Sequence, residues 1–124
     1  MLLVFGSINI DLVFRVATLP APGETVLGQS YVTVPGGKGA NQAVAAARAG
    51  AEVRMIGRVG RDGSAKIALE ALRSAGVDTS GVVADGAPTG CAVISVDDSG
   101  ENQIIVGSGA NAHVAAGQVE GPLL

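Results

Sequence analysis

The sequence predicts an α/β fold in which a parallel sheet with flanking helices carries a small additional β-sheet. Three observations lead there. Leu2–Phe5 is a short, continuous apolar run, and 53–57 is a second with only Arg54 interrupting it; runs of this length and composition read as strands buried on both faces. Each is followed in turn by a segment of helical character, and that order implies right-handed crossovers and a parallel sheet. Residues 24–34 and 90–106 have strand character but suit a small exposed sheet better than a central position.

Composition sets the bounds. With 124 residues the chain is long enough for one domain and too short for two ordinary ones. Hydrophobic residues make up 48% and aromatics only 2%, so the core must be built from Val, Ile, Leu and Ala. Nineteen glycines in so apolar a chain point to tight turns rather than disorder. A net charge of −3 argues against a nucleic-acid partner, which calls for a clustered basic surface. No apolar run reaches the length of a membrane span. The apolar start, Met1 to Phe5, lacks a basic leader and a cleavage site. The single cysteine, Cys91, lies in an apolar run and suits a small core residue in a reducing compartment. The expected location is the cytoplasm.

Taken in order, the first strand ends at Gly6-Ser7. Asn9 and Asp11 follow with one residue between them, a spacing that puts both side chains on one side of an extended chain. Alternation continues from Leu12 to Val16 until the breaker Pro20-Ala21-Pro22-Gly23. Strand character returns over Glu24–Val34. A helix follows from Gln42 to Ala49, with Gly50 as its C-terminal cap. After the strand at 53–57, Asp62 suits the N-cap of a helix running to about Ala75. There Ala65, Ala68, Leu69, Leu72 and Ala75 recur at helical spacing, with Lys66, Glu70 and Arg73 opposite. Gly90–Val96 and Gln103–Val106 flank Asp97-Asp98-Ser99-Gly100-Glu101, a hairpin signal. That hairpin is expected at an edge or beside the Glu24–Val34 strand. Asp97, Asp98 and Glu101 read as its charged tip. Gly107–Asn111 is a second glycine-rich turn, where Asn111 is explained by tolerance of a left-handed backbone. His113, the only histidine, is expected on the surface. A weak helix begins near Val114 and stops at Gly121-Pro122-Leu123-Leu124.

The chemistry concentrates at Gly36-Gly37-Lys38-Gly39-Ala40-Asn41. Glycines there let a ligand approach the backbone closely. The helix that follows offers unpaired N–H groups and the positive end of its dipole. Lys38 adds a charge, and Asn41 an amide that both donates and accepts. Such a site grips hydroxyls or an anion, or steadies a developing negative charge. It is not a Walker A loop, since Gly39 stands where Ser or Thr is required. Nor is it the dinucleotide fingerprint, whose third glycine would fall at Gln42; a dinucleotide-binding domain is accordingly disfavoured.

With these blocks laid out, the chain resembles the ribokinase branch of the ribokinase-like (PfkB-type) carbohydrate kinases. The matching blocks are collinear: Gly6-Ser7-Ile8-Asn9-Ile10-Asp11, then Pro22-Gly23-Glu24-Thr25-Val26, then Gly36 through Ala43, with Gly50 and Gly60 at the family's spacing and Gly107 through Asn111 as a later glycine turn. They span roughly residues 2 to 112. The resemblance implies a Rossmann-like sheet with a β lid, that is, an incomplete ribokinase-like fold. It implies that Asp11 accepts hydrogen bonds from sugar hydroxyls with Asn9 beside it, and that Gly37, Lys38 and Asn41 contact the sugar from the glycine loop. The strands at about 12–34 and 90–106 would form the lid, which covers the sugar and makes a homodimer contact.

The family carries its nucleotide site and catalytic aspartate in a C-terminal half, as a Gly-Ala-Gly-Asp turn that residues 1–124 do not contain. The resemblance therefore implies the sugar-binding half of a kinase, with no catalytic, nucleotide or metal residues in this chain. The intact enzyme would use ATP and Mg2+, with a monovalent cation as a further candidate, to phosphorylate the primary hydroxyl of a pentose, ribose before others. Fructose and 2-keto-3-deoxygluconate are the alternative sugars. A non-catalytic sugar-binding module, or one that associates through its lid, is the alternative of a different class.

Overall fold

The computed structural model describes residues 1–119. Its elements are β1 (Leu2–Phe5), β2 (Asn9–Arg15), β3 (Ser30–Gly36), α1 (Lys38–Arg48), β4 (Val53–Val59), α2 (Gly63–Ser74), β5 (Asp78–Ala84), β6 (Gly90–Val96) and β7 (Asn102–Gly107). Two short 3-10 turns follow, Gly109–His113 and Ala116–Gln118. The strands form two sheets. One is three-stranded and wholly parallel, in the order β1-β4-β5. The other is four-stranded, in the order β3-β2-β6-β7, with β2 and β6 parallel and the outer pairs antiparallel.

The core lies where α1 and α2 pack over these sheets. Ile8 just before β2 and Ile10 within it, Val53, Met55 and Val59 from β4, and Ala40, Ala43, Ala65, Ala68 and Leu72 from the helices are all buried. The small helix residues let the backbones approach closely, so a core almost without aromatics still packs. Asp62 caps α2, its carboxylate accepting from the Ala65 N–H at 2.8 Å. Gly50 has the positive φ of a helix-terminating residue, 99°. Among the described residues no helix is long and apolar enough to cross a membrane.

Several expectations need correction. The strand β5 has no sequence signal of its own: Asp78-Thr79-Ser80-Gly81 dilutes its apolar content, yet it pairs with β4 at the sheet edge. β1 is not buried on both faces, since Leu2 and Phe5 are 46% and 51% exposed; among the described residues only β4 pairs with it. The strand expected over Glu24–Val34 starts at Ser30, and residues 16–29 form no strand. Of the two places expected for the hairpin β6–β7, it takes the edge, with β7 outermost, and does not pair with β3. It docks on the other edge of β2, which β3 leaves open. The first helix begins earlier than expected, at Lys38, so Gly39, Ala40 and Asn41 form its first turn. Cys91 is half-buried rather than in the core. The weak helix after Val114 is a 3-10 turn, Ala116–Gln118; its expected end at 121–124 lies outside the described residues.

Candidate functional site

The alternation of β2 puts Asn9 and Asp11 on one face, as their spacing predicts, and both line a cleft of about 450 Å³. Gly37, Lys38 and Asn41 at the start of α1 line it too, together with Ser7, Ser108 and Asn111. All five residues expected to touch a ligand thus meet in one cleft. Its wall continues along the four-stranded sheet through Ala92, Ile94, Ile104 and Val106. The result is a polar floor under an apolar flank.

The crossing of β2 and the loop into α1 is tight. Ala40 donates its N–H to the Ser7 carbonyl at 3.0 Å. Gly37 sits at φ 94°, and a Cβ there would lie 2.7 Å from the Ser7 carbonyl oxygen and 2.9 Å from the Asn9 nitrogen. Only glycine meets both demands. Gly36 lies beside Asn9 in the ladder, and a Cβ on it would fall on the Asp11 carboxylate. The glycines therefore do more than admit a ligand: they make room for the carboxylate and press the helix start against β2. Burial pushes the Asp11 carboxyl above its ordinary value of 3.8, because the charged form loses water without gaining a cation. Asp11 is thus a carboxylate short of donors, and a ligand hydroxyl would supply one.

Asn111 is the residue whose role the sequence concealed. Among the described residues no side chain other than glycine has positive φ, so a left-handed backbone does not explain it. Its side chain instead reaches across 103 positions of sequence: Ile8 donates its N–H to Asn111 Oδ1 at 2.9 Å, and Asn111 Nδ2 donates to the Ile8 carbonyl at 3.1 Å. Nδ2 also donates to Asn9 Oδ1 at 2.7 Å. A side chain here takes the part of a neighbouring strand. The remaining polar residues lie apart from the cleft. The hairpin tip is held by Asp97, which accepts from the Ser99 and Glu101 N–H groups. His113 is partly exposed and pairs with Asp85 at 2.8 Å. Asp62 does more than cap α2, since it also accepts from the Thr89 N–H and hydroxyl.

Residues 1–120 match the pfkB family carbohydrate kinase pattern. The chain belongs to that family. Among its relatives are a ribokinase of Haemophilus influenzae, 47% identical over 115 residues and covering 92% of this chain and 38% of that protein, and a ribokinase of Bacillus subtilis, 49% identical over 109 residues with 87% and 37% covered. The structure of Arabidopsis thaliana ribokinase complexed with ribose and ATP superimposes with a TM-score of 0.81 at 39% identity, over 89% of this chain and 36% of that one. The chain thus spans little more than a third of the length of these relatives and corresponds to the N-terminal portion of the ribokinase fold.

Proposed function

We propose that this chain is the sugar-binding part of a kinase that transfers the γ-phosphate of ATP to the primary hydroxyl of a pentose, ribose. One observation carries the reading: Asn9 and Asp11 on β2 and Gly37, Lys38 and Asn41 at the start of α1 line a single cleft, in a family in which one relative is known in complex with ribose and ATP. Sugar hydroxyls both donate and accept. They call for fixed groups of both kinds, and here Asp11 accepts, Lys38 donates and the Asn41 amide can do both.

Phosphoryl transfer depends on positioning and charge stabilisation around the triphosphate. Among the described residues no three His, Cys, Asp or Glu side chains gather as a metal ligand set, and Asp11 is the one carboxylate of the cleft. The donor set does not fit magnesium. We assign ATP, magnesium and any monovalent cation to the rest of the enzyme. The 124-residue chain by itself should transfer no phosphate; ribose-dependent ADP release by the purified chain would overturn this.

The four-stranded sheet we read as the lid. Ile104 and Val106 on its cleft face and Tyr31 and Ile105 on its other face are exposed, and we place a homodimer contact on these strands. Sedimentation of Ile105→Lys should then show a shift toward monomer.

The central test is Asp11→Asn in the full-length enzyme. Each charge-assisted hydrogen bond lost is worth about 1.5–3 kcal/mol, so ribose affinity should fall at least about tenfold by calorimetry. Unchanged affinity with a large drop in Tm would make Asp11 a structural residue instead.

A further inference from the structure

We infer that Asn111 is a positioning residue that sets the hydrogen-bonding polarity of the cleft, by compelling Asn9 to present its Nδ2 donor to the ligand. The inference rests on the cleft being the sugar site, and it follows from the fixed polarity of one peptide unit. The Ile8 N–H can only donate and the Ile8 carbonyl can only accept. Asn111 meets both, with Oδ1 2.9 Å from the first and Nδ2 3.1 Å from the second. Its amide therefore has one possible orientation. The second Nδ2 hydrogen then points at Asn9, and the atom 2.7 Å away must be the acceptor Oδ1. With Oδ1 engaged, Asn9 has its Nδ2 group left over, and this residue lines the cleft.

The fold is arranged around this contact. Gly90 lies beside Asn9 in the ladder, and a Cβ on it would fall on the Asn111 Nδ2 and the Asn9 Oδ1. Gly109, at φ 51°, starts the turn that carries Asn111, and Ala110 ties that turn to the Pro88 carbonyl at 2.7 Å. Asn111 is half-buried. Two residues on from Asn9, Asp11 can only accept when ionised. The cleft thus offers a fixed donor beside a fixed acceptor, and a sugar hydroxyl that accepts at Asn9 lies near one that donates at Asp11.

Asn111→Asp tests the inference. A carboxylate still accepts from Ile8 but cannot donate to Asn9, so the Asn9 amide turns over and presents Oδ1 to the ligand. Ribose affinity of the full-length protein should fall about tenfold, and Asn9→Ala combined with Asn111→Asp should be no weaker than Asn9→Ala alone. Wild-type affinity in Asn111→Asp, or losses that add in the double variant, would overturn the inference. A second measurement needs no sugar and no folding of the Asn111 variant. In 15N-labelled protein both Asn111 side-chain amide protons should exchange slowly with solvent, and Asn9→Ala should speed one of them at least tenfold while sparing the one bonded to Ile8. Both protons exchanging fast in the wild type, or neither responding to Asn9→Ala, would overturn it as well. Failure of the wild type to bind ribose would strike the sugar reading instead and leave the exchange result to judge Asn111.

Discussion

In the parallel sheet, β4 runs between β1 and β5 against α1, and Val53, Met55, Ile56 and Val59 are 2% exposed or less. In the four-stranded sheet every residue of β7 is exposed, Ile104, Ile105 and Val106 included. The two regions draw on the same residue types, so composition does not separate them. What separates them is cover: two helices lie over the first sheet, whereas only one end of the second, near Ile8 and Ile10, reaches the core. A sheet that leaves isoleucine and valine in water on both faces is suited to meeting a ligand on one and another surface on the other.

The contrast should show most strongly in stability. Met55 is fully buried, and Met55→Ala should cost about 2–5 kcal/mol through lost transfer energy and the cavity left behind. Ile105, at 72% exposure, should change stability by no more than about 0.5 kcal/mol when cut to alanine, measured where the protein is monomeric. Urea unfolding curves of the two variants decide it. Similar losses at both positions would mean that the four-stranded sheet is covered after all.

A smaller effect is expected at the joint between the regions. Thr89 is 5% exposed and precedes β6. Its hydroxyl donates to Asp62 at 2.6 Å and accepts the Gly60 N–H at 2.9 Å, linking the cap of α2 and the end of β4 to the second sheet. Thr89→Val keeps the shape and strands a buried N–H, which costs about 1–3 kcal/mol. The urea midpoint should fall with an unchanged slope; a lowered slope would show the sheets unfolding separately.

Where the sequence was legible and where it was not follows from the range of the interactions. Asn9 and Asp11 share a face because strand periodicity is local, and Asp62 caps α2 because capping acts within one turn. The glycine loop announced a helix start for the same reason. β5 escaped notice because its polar first half is that of an edge strand, and edge pairing is decided by β4 rather than by its own composition. The docking of β6 on β2 depended on which edge remained free, a property of the assembled sheet. Asn111 was hidden for the strongest form of this reason: its partners Ile8 and Asn9 are more than a hundred residues away, and the glycine turn that ends on it carries no sign of that pairing.

The smallest expected effect is also the one that separates the regions by sign. In the parallel sheet, Asp78 accepts the Ser80 N–H and hydroxyl and pairs with Arg54 at 2.8 Å, which holds its carboxyl down at about 2. A depressed value means stability that is present above the ordinary 3.8 and is lost as pH falls from there toward about 2. Asp78 is partly exposed, so solvent and salt screen its pairing with Arg54 and the contribution is modest. In the four-stranded sheet burial raises the Asp11 carboxyl instead. There the folded state prefers the proton, and the cost of charging is absent below 3.8 and complete once pH has risen past the elevated value. Asp78→Asn should therefore lower Tm at neutral pH and bring variant and wild type together in strong acid. Asp11→Asn should raise Tm at neutral pH, with the same convergence in acid. The residue expected to grip the ligand is the one whose charge the empty fold holds at a cost, and a neutral-pH loss of Tm on Asp11→Asn would place its partner inside the chain rather than in the ligand.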